Sequence, residues 1–354
     1  MLGRLVEEVL RLLALPHQPA LHVGERGDDR VDRTVLDVVP QLFQRQHRPA
    51  TLLRVQPETI AARLWPGRSP RIEPLGGGIT NHNFKVTLEG VAYVLRIGGR
   101  GTELLGIERA AEREAATRAA AAGTGPEVVA FLADEGVLVT RFVDGRPAPP
   151  EDLRTPDGLA RVVATLKPFH EGPAIAARFD SFRVVETYAT TATEHGVSIP
   201  SAYAAATELA HRIERALGPR GVVPCHNDLL NANFILAGDR LWIVDWEYAG
   251  MGDVFFDLAN FSVNHELGAD EDDELLRVYF GERDERDAAT LTCMRFMSDF
   301  REAMWGVVQQ GRRQRQRRAF ARRCACWGPA NGREPRSRAR SPRAPLRFPA
   351  GSGL

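Results

Sequence analysis

Lysine is nearly missing from this chain: Lys85 and Lys167 are its only two, and arginine carries the remaining positive charge. The 46 basic and 46 acidic residues cancel to a formal net charge of zero, which excludes a bulk attraction to nucleic acid or to a membrane surface. Cysteine is scarce. Cys225, Cys293, Cys324 and Cys326 form no C-x-x-C pair and share no metal-ligand spacing with histidine, so a zinc module is not expected. A reducing compartment is the simplest setting for four such thiols. Long apolar runs are lacking as well. The early stretch 9–15 is interrupted by Arg11 and preceded by Glu7 and Glu8, which argues against a signal peptide and a membrane span. A cytoplasmic protein is expected; the oligomeric state is not legible.

What is present suits a globular chain. With 354 residues, 44% of them hydrophobic, one large or two medium domains can bury a sizeable core. Residues 1–56 read as an extension, helical or partly disordered. Leu2, Leu5, Val6, Val9, Leu10 and Leu13 recur there at helical spacing, without a chemical motif. Residues 57–146 read as strands 71–75, 84–88 and 92–97, a helix 108–122 stopped by Gly123, and strands 127–132 and 136–142. That order describes a small antiparallel sheet with one helix. Pro149-Pro150 fits a linker.

Residues 147–311 are mainly helical, with helices expected at 157–171, 202–217, 254–265 and 284–308. Short strands at 221–224, 234–236 and 241–244 flank a polar segment, 226–233. Beyond Gly311 the chain is crowded with arginine, proline and glycine and holds one acidic residue, Glu334. Residues 312–354 are expected to be disordered. Three readings stay open: a tail for nucleic acid or another anionic surface, a plain solvated tail, or an out-of-frame readthrough.

The chemistry concentrates in a few segments. Gly76-Gly77-Gly78-Ile79-Thr80-Asn81 lies between two expected strands. Glycines there let backbone N–H groups approach a phosphate, though glycine turns between strands are common without one. Arg96 stands among apolar strand neighbours, with Glu112 as its expected partner and Glu114 as the second choice. It is either a phosphate ligand or half of a structural ion pair.

His226-Asn227-Asp228-Leu229-Leu230-Asn231-Ala232-Asn233 carries the strongest signal. Asp228 would accept or orient a hydroxyl proton, and Asn233 would ligate magnesium through its amide oxygen. His226 would stabilise the loop. A polar turn between strands is the bland alternative. Asp245 ends a strand with Gly250 soon after, which suits a metal ligand, and Glu247 is close enough to share its site. Asp257 would brace the 226–233 loop or cap a helix. The order is Gly-rich loop, basic strand residue, helix glutamate, H-x-D-x-x-x-x-N and aspartate. ATP-dependent phosphoryl transfer places the groups it needs in that order.

Taken together these residues resemble the choline/ethanolamine kinase and aminoglycoside phosphotransferase superfamily, nearer its choline kinase-like branch. The likeness rests on 76–81, Val94-Leu95-Arg96-Ile97, Ile107-Glu108-Arg109-Ala110-Ala111-Glu112, 226–233, Asp245-Trp246-Glu247-Tyr248-Ala249-Gly250 and Phe256-Asp257-Leu258-Ala259-Asn260. It covers about residues 70–310. The resemblance implies an α+β, protein-kinase-like fold with two lobes, a strand-rich N-lobe and a mainly helical C-lobe. It implies ATP and Mg²⁺ as cofactors. Gly77, Gly78, Thr80, Asn81, Arg96 and Glu112 would lie around the phosphates, and Thr140 and Phe142 near the adenine.

The implied acceptor is a small amino alcohol such as choline or ethanolamine, with Asp228, Glu247, Tyr248 and Trp305 around it. Tyr248 matches the family's cage tyrosine. Trp305 is either a second wall or a core tryptophan. Two departures are visible: Asn264-His265-Glu266 stands where the family often places an acid, and the arginine-rich tail replaces the last helical region of the acceptor pocket. Three rivals remain: an aminoglycoside or other metabolite as acceptor, an inactive kinase-like binding protein, or a polyanion binder acting through its tail.

Overall fold

A computed structural model describes residues 56–76, 81–99, 101–282 and 284–325 of the chain. Helix α1 (Pro57–Leu64) leads into strands β1 (Arg71–Leu75), β2 (Asn81–Leu88) and β3 (Val91–Gly98). Helix α2 (Arg109–Ala121) follows, then β4 (Val128–Leu132) and β5 (Val137–Arg141). The five strands form one antiparallel sheet in the order β1-β2-β3-β5-β4. Glu89 and Gly90 close the β2–β3 hairpin with φ of 51° and 81°, the left-handed pair that a two-residue turn of matching twist requires.

Strand alternation decides which side chains reach the rest of the molecule. Leu95 and Ile97 of β3 and Val137 and Val139 of β5 point to one face, where they pack with Val86 and Ile60. Arg96 and Leu138 lie on the opposite face. Leu138 there joins the larger core, together with Ala115, Ala116 and Ala119 of α2.

The second region opens with β6 (Arg146–Pro147), α3 (Pro150–Arg154), α4 (Pro156–His170), α5 (Ser181–Glu194) and α6 (Tyr203–Leu217). Strands β7 (Val223–Cys225), β8 (Phe234–Ala237), β9 (Arg240–Ile243) and β10 (Gly250–Gly252) come next. Helices α7 (Val254–Asn264), α8 (Ala269–Phe280) and α9 (Glu285–Ala325) end the described chain. β6, β8 and β9 form one small sheet, and β10 pairs with β7. Gly250 is required where β10 meets the segment before α5, because a Cβ there would stand 2.9 Å from the Arg178 carbonyl carbon. The expected α+β division, strands first and helices after, is what is observed.

Several expectations change. Pro150 is not linker but the first residue of α3, where its missing N–H is no loss. Helix α5 is not among the expected helices, although Asp180 caps it through the amides of Phe182 and Arg183 and Val185, Tyr188, Ala189 and Ala192 are buried at helical spacing. Nor is helix α8, whose buried Leu275, Leu276 and Tyr279 follow the acidic start Asp270-Glu271-Asp272. The last helix, expected to end at 308, is longer: α9 continues to Ala325. Residues 312–325 contain neither proline nor glycine, and arginine, glutamine and alanine are good helix formers. The chain divides into two compact units, 1–312 and 313–354, and the site described below lies in the first. The readings for residues 1–55 and 326–354 lie outside the described residues, as do Gly77, Gly78 and Thr80. Among the described residues no helix is long and apolar enough to cross a membrane.

Candidate active site

The loop between β7 and β8 is fixed through its backbone by one face of α7. Asp257 accepts the amides of His226 at 2.6 Å and Asn227 at 2.5 Å. One turn on, Asn260 accepts the amide of Leu229 at 2.6 Å and is itself anchored on Ser298 at 3.0 Å. Residues three apart share a helix face, so α7 presents both acceptors in register with the loop. Asp253, not Asp257, caps α7, which removes the capping alternative for Asp257. Asn227 holds φ of 64°, a left-handed conformation that Asn tolerates better than most, and its side chain donates to the Tyr248 carbonyl at 3.1 Å.

His226 is wholly buried with both ring nitrogens used. Nε2 faces the Val244 carbonyl at 3.1 Å, and Nδ1 accepts the Asp228 amide at 3.2 Å. A carbonyl accepts only, so the ring is the neutral Nε2–H form. Burial pushes its pKa down to about 4. Asp228 thus leaves the loop with its backbone locked at both ends: its amide is on His226, and its carbonyl takes Asn233 Nδ2 at 2.8 Å. The Asn233 amide oxygen is turned away from that bond. Burial pushes the Asp228 carboxyl up, and Arg301, 3.2 Å from Oδ1, partly offsets the shift.

The sheet contributes the second half. Arg96, the polar-face residue of β3, forms ion pairs with both Glu112 of α2 and Asp245. Glu114 takes the Ala176 amide elsewhere, so the second-choice pairing is not used. Asp245 follows β9 with φ of 72°, a conformation that costs energy for a residue with a Cβ and is found at sites where the surroundings impose it. The Val244 amide donates to the Asn233 carbonyl at 3.0 Å, which brings Asp245 beside Asn233.

Arg109 was not singled out in the sequence, yet it ties the halves together. Its guanidinium reaches Glu112 at 2.6 Å, Glu247 at 3.3 Å, Asn81 at 3.0 Å and Thr102 at 3.1 Å. Asn81 also donates to Glu247 at 2.9 Å. The available signal was the spacing of Arg109 and Glu112, one helical turn apart.

Tyr248 and Trp305 meet: the indole N–H donates to the tyrosine hydroxyl at 2.9 Å. Thr140 pairs with Val94 inside the sheet. The Phe142 amide donates to the Ala92 carbonyl at 3.1 Å, and Lys85 sits 3.9 Å over the Phe142 ring. Cys225 does join a histidine in space, contrary to its sequence spacing: among the described residues His170, Cys225 and Asp257 hold potential ligand atoms within 4.8 Å of one another. The donors are already committed. His170 bridges Asp257 at 3.0 Å and the Tyr279 hydroxyl at 2.8 Å, and burial keeps the Cys225 thiol well above its ordinary pKa. This cluster is a buried brace behind the loop.

Residues 71–295 match the phosphotransferase enzyme family. Protein LicA of Haemophilus influenzae is 30% identical over 57% of this chain and 61% of its own length, so the chain spans about three-fifths of that relative. A choline/ethanolamine kinase family protein of Mesorhizobium loti superposes with a TM-score of 0.61 at 32% identity, over 77% of this chain and 94% of that one. The choline kinase LicA of Streptococcus pneumoniae gives a TM-score of 0.63 at 22% identity, over 72% of this chain and 90% of that one, a likeness of fold.

Proposed function

Because the chain belongs to the phosphotransferase enzyme family, and within it resembles a choline/ethanolamine kinase family protein over most of that protein's length, we propose that it transfers the γ-phosphoryl group of ATP to the hydroxyl of a small amino alcohol such as choline or ethanolamine. The observation that carries this reading is the placement of Asp228. It is a buried carboxylate on a loop locked at its backbone: the Asn233 side chain donates to its carbonyl, and the Val244 amide, one residue before Asp245, donates to the Asn233 carbonyl.

In this reading Asp228 receives the acceptor's hydroxyl proton as the oxygen attacks phosphorus. Its raised pKa makes it a better base than an ordinary aspartate. His226 and Asp257 hold the loop and take no part in proton transfer. Arg96, set by Glu112, faces the phosphates, and Asn81 closes the same side near the 76–81 loop. Thr140 and Phe142 border the adenine. Glu247, bound to Asn81 and Arg109, couples the nucleotide half to Tyr248 and Trp305 in the acceptor half.

Asn233 and Asp245 offer an amide oxygen and a carboxylate, hard donors of the kind Mg²⁺ takes, and these two residues would hold it. When bound it neutralises charge on the phosphates. Rate acceleration then comes chiefly from positioning and fixed charge.

The direct test is ATP consumption with choline, ethanolamine and aminoglycosides as acceptors, comparing wild type with Asp228→Asn. Turnover with an amino alcohol, lost by at least about a hundredfold in Asp228→Asn with ATP binding kept, is the expected result. Turnover only with aminoglycosides would move the acceptor class. ATP binding without turnover on any acceptor would favour a kinase-like binding protein.

A further inference from the structure

In the sequence, Tyr248 is a wall for a cationic substrate. In the structure that wall already carries a cation. The Arg301 guanidinium carbon lies 4.6 Å over the Tyr248 ring, and its side chain is only 1% exposed. Its Nη1 reaches Asp228 Oδ1 and Glu302 Oε2, each at 3.2 Å. Nε and Nη2 are buried, and the guanidinium also lies beside the buried Tyr188 hydroxyl. Trp305, one helical turn beyond Arg301 on α9, donates to the hydroxyl of the same tyrosine. Arg301 and Trp305 together therefore occupy the ring and the hydroxyl of Tyr248.

The consequence for a substrate is chemical. A quaternary ammonium has no N–H and binds through aromatic faces and field alone. A primary or secondary ammonium can instead donate to carboxylates. With Arg301 on one face of its ring and Trp305 on its hydroxyl, Tyr248 already carries a cation, and a quaternary ammonium brought to the same ring meets the like charge of the guanidinium. Asp228 and Glu302 each face the guanidinium with one oxygen, so an incoming ammonium finds carboxylate acceptors beside it. Glu302 is 22% exposed and gives Arg301 only one of its oxygens.

Resting on the phosphotransferase reading above, we infer that Arg301 is a specificity-determining residue. It fills the cation seat on Tyr248, so that the acceptor is an alcohol bearing a hydrogen-bonding ammonium, held by Glu302, rather than a quaternary ammonium. Choline is then a poor acceptor and ethanolamine-like alcohols are good ones.

Tetramethylammonium probes the seat without any phosphoryl transfer. Calorimetric titration into wild type should give no saturation at low millimolar concentration. Arg301→Met, which removes the charge and keeps apolar volume, should bind at least about tenfold tighter. ADP binding shows whether the variant is folded. In parallel, the choline-to-ethanolamine ratio of KM should exceed about ten in wild type and fall by about tenfold in Arg301→Met. Tight tetramethylammonium binding by wild type overturns the inference, and this arm decides the matter even if Arg301→Met fails to fold. A KM ratio unmoved by Arg301→Met overturns it too. If wild type rejects tetramethylammonium and Arg301→Met binds it, but neither amine is phosphorylated, the seat stands and the amino-alcohol kinase reading falls.

Discussion

The carboxylate of Asp257 accepts the main-chain amide of His226 at 2.6 Å, across 31 residues of sequence, with both groups fully buried. Its other oxygen takes the next amide in the loop, and His170 approaches from behind. A single side chain on α7 therefore sets the course of the loop that carries Asp228.

Asp257→Ala leaves two buried amides and a buried histidine without their acceptor. The expected loss is about 3–5 kcal/mol of stability, seen as a melting temperature lower by roughly 10 °C or more. Asp257→Asn keeps the shape but not the charge and should fall between Ala and wild type. Thermal unfolding of the three proteins checks this; two variants within a degree or so of wild type would refute the brace.

Arg109→Met should weaken the link between sheet and loop. It removes the Arg109 contact from Glu247 and one of the two ion pairs of Glu112. KM for ATP should rise by about tenfold or more, with a smaller change in kcat, because the residue orders the site without touching the reacting atoms. Steady-state kinetics at varied ATP separates the two effects. A kcat loss with unchanged KM would place Arg109 in the chemistry instead.

The acid limb of kcat/KM against pH should lie above the ordinary aspartate value of 3.8, because burial raises the Asp228 carboxyl. Arg301 lowers that carboxyl, so Arg301→Met should move the limb to still higher pH. A limb that stays in place on losing the guanidinium would mean that another group titrates.

Stability should decline on acidification through the histidines. Burial holds both His226 and His265 at about 4, against 6.5 for the free group. The native state then binds fewer protons than the unfolded state. Stability from these two groups is complete above pH 6.5 and is lost as pH falls from there towards 4, by up to about 3 kcal/mol each. The carboxyls of Asp228 and Glu302, raised by burial, act in the opposite sense and soften the fall. Calorimetry between pH 7 and 4.5 should show a falling melting temperature, and His265→Gln should flatten the curve.

Much of this molecule was written locally. Strand alternation around Leu95-Arg96-Ile97, the Glu89-Gly90 turn and the alanine-rich α2 read directly from the chain, since each depends on residues a few positions apart. So did the spacing of Asp228 and Asn233, because a five-residue separation within one loop sets both side chains in one site. The pairing of Arg96 with Glu112 was legible; the second partner of Glu112, Arg109, and the partners of Glu247 and Tyr248 were not. Arg109 and Arg301 look like any other arginines in an arginine-rich chain, and only the packing of α2 and α9 against the loop turns them inward. The order of chemical groups along the chain thus came from sequence. Tertiary structure alone decided which charge sits on which ring, because a cation over Tyr248 from a residue 53 positions away is a contact between elements and leaves no periodic trace in the sequence.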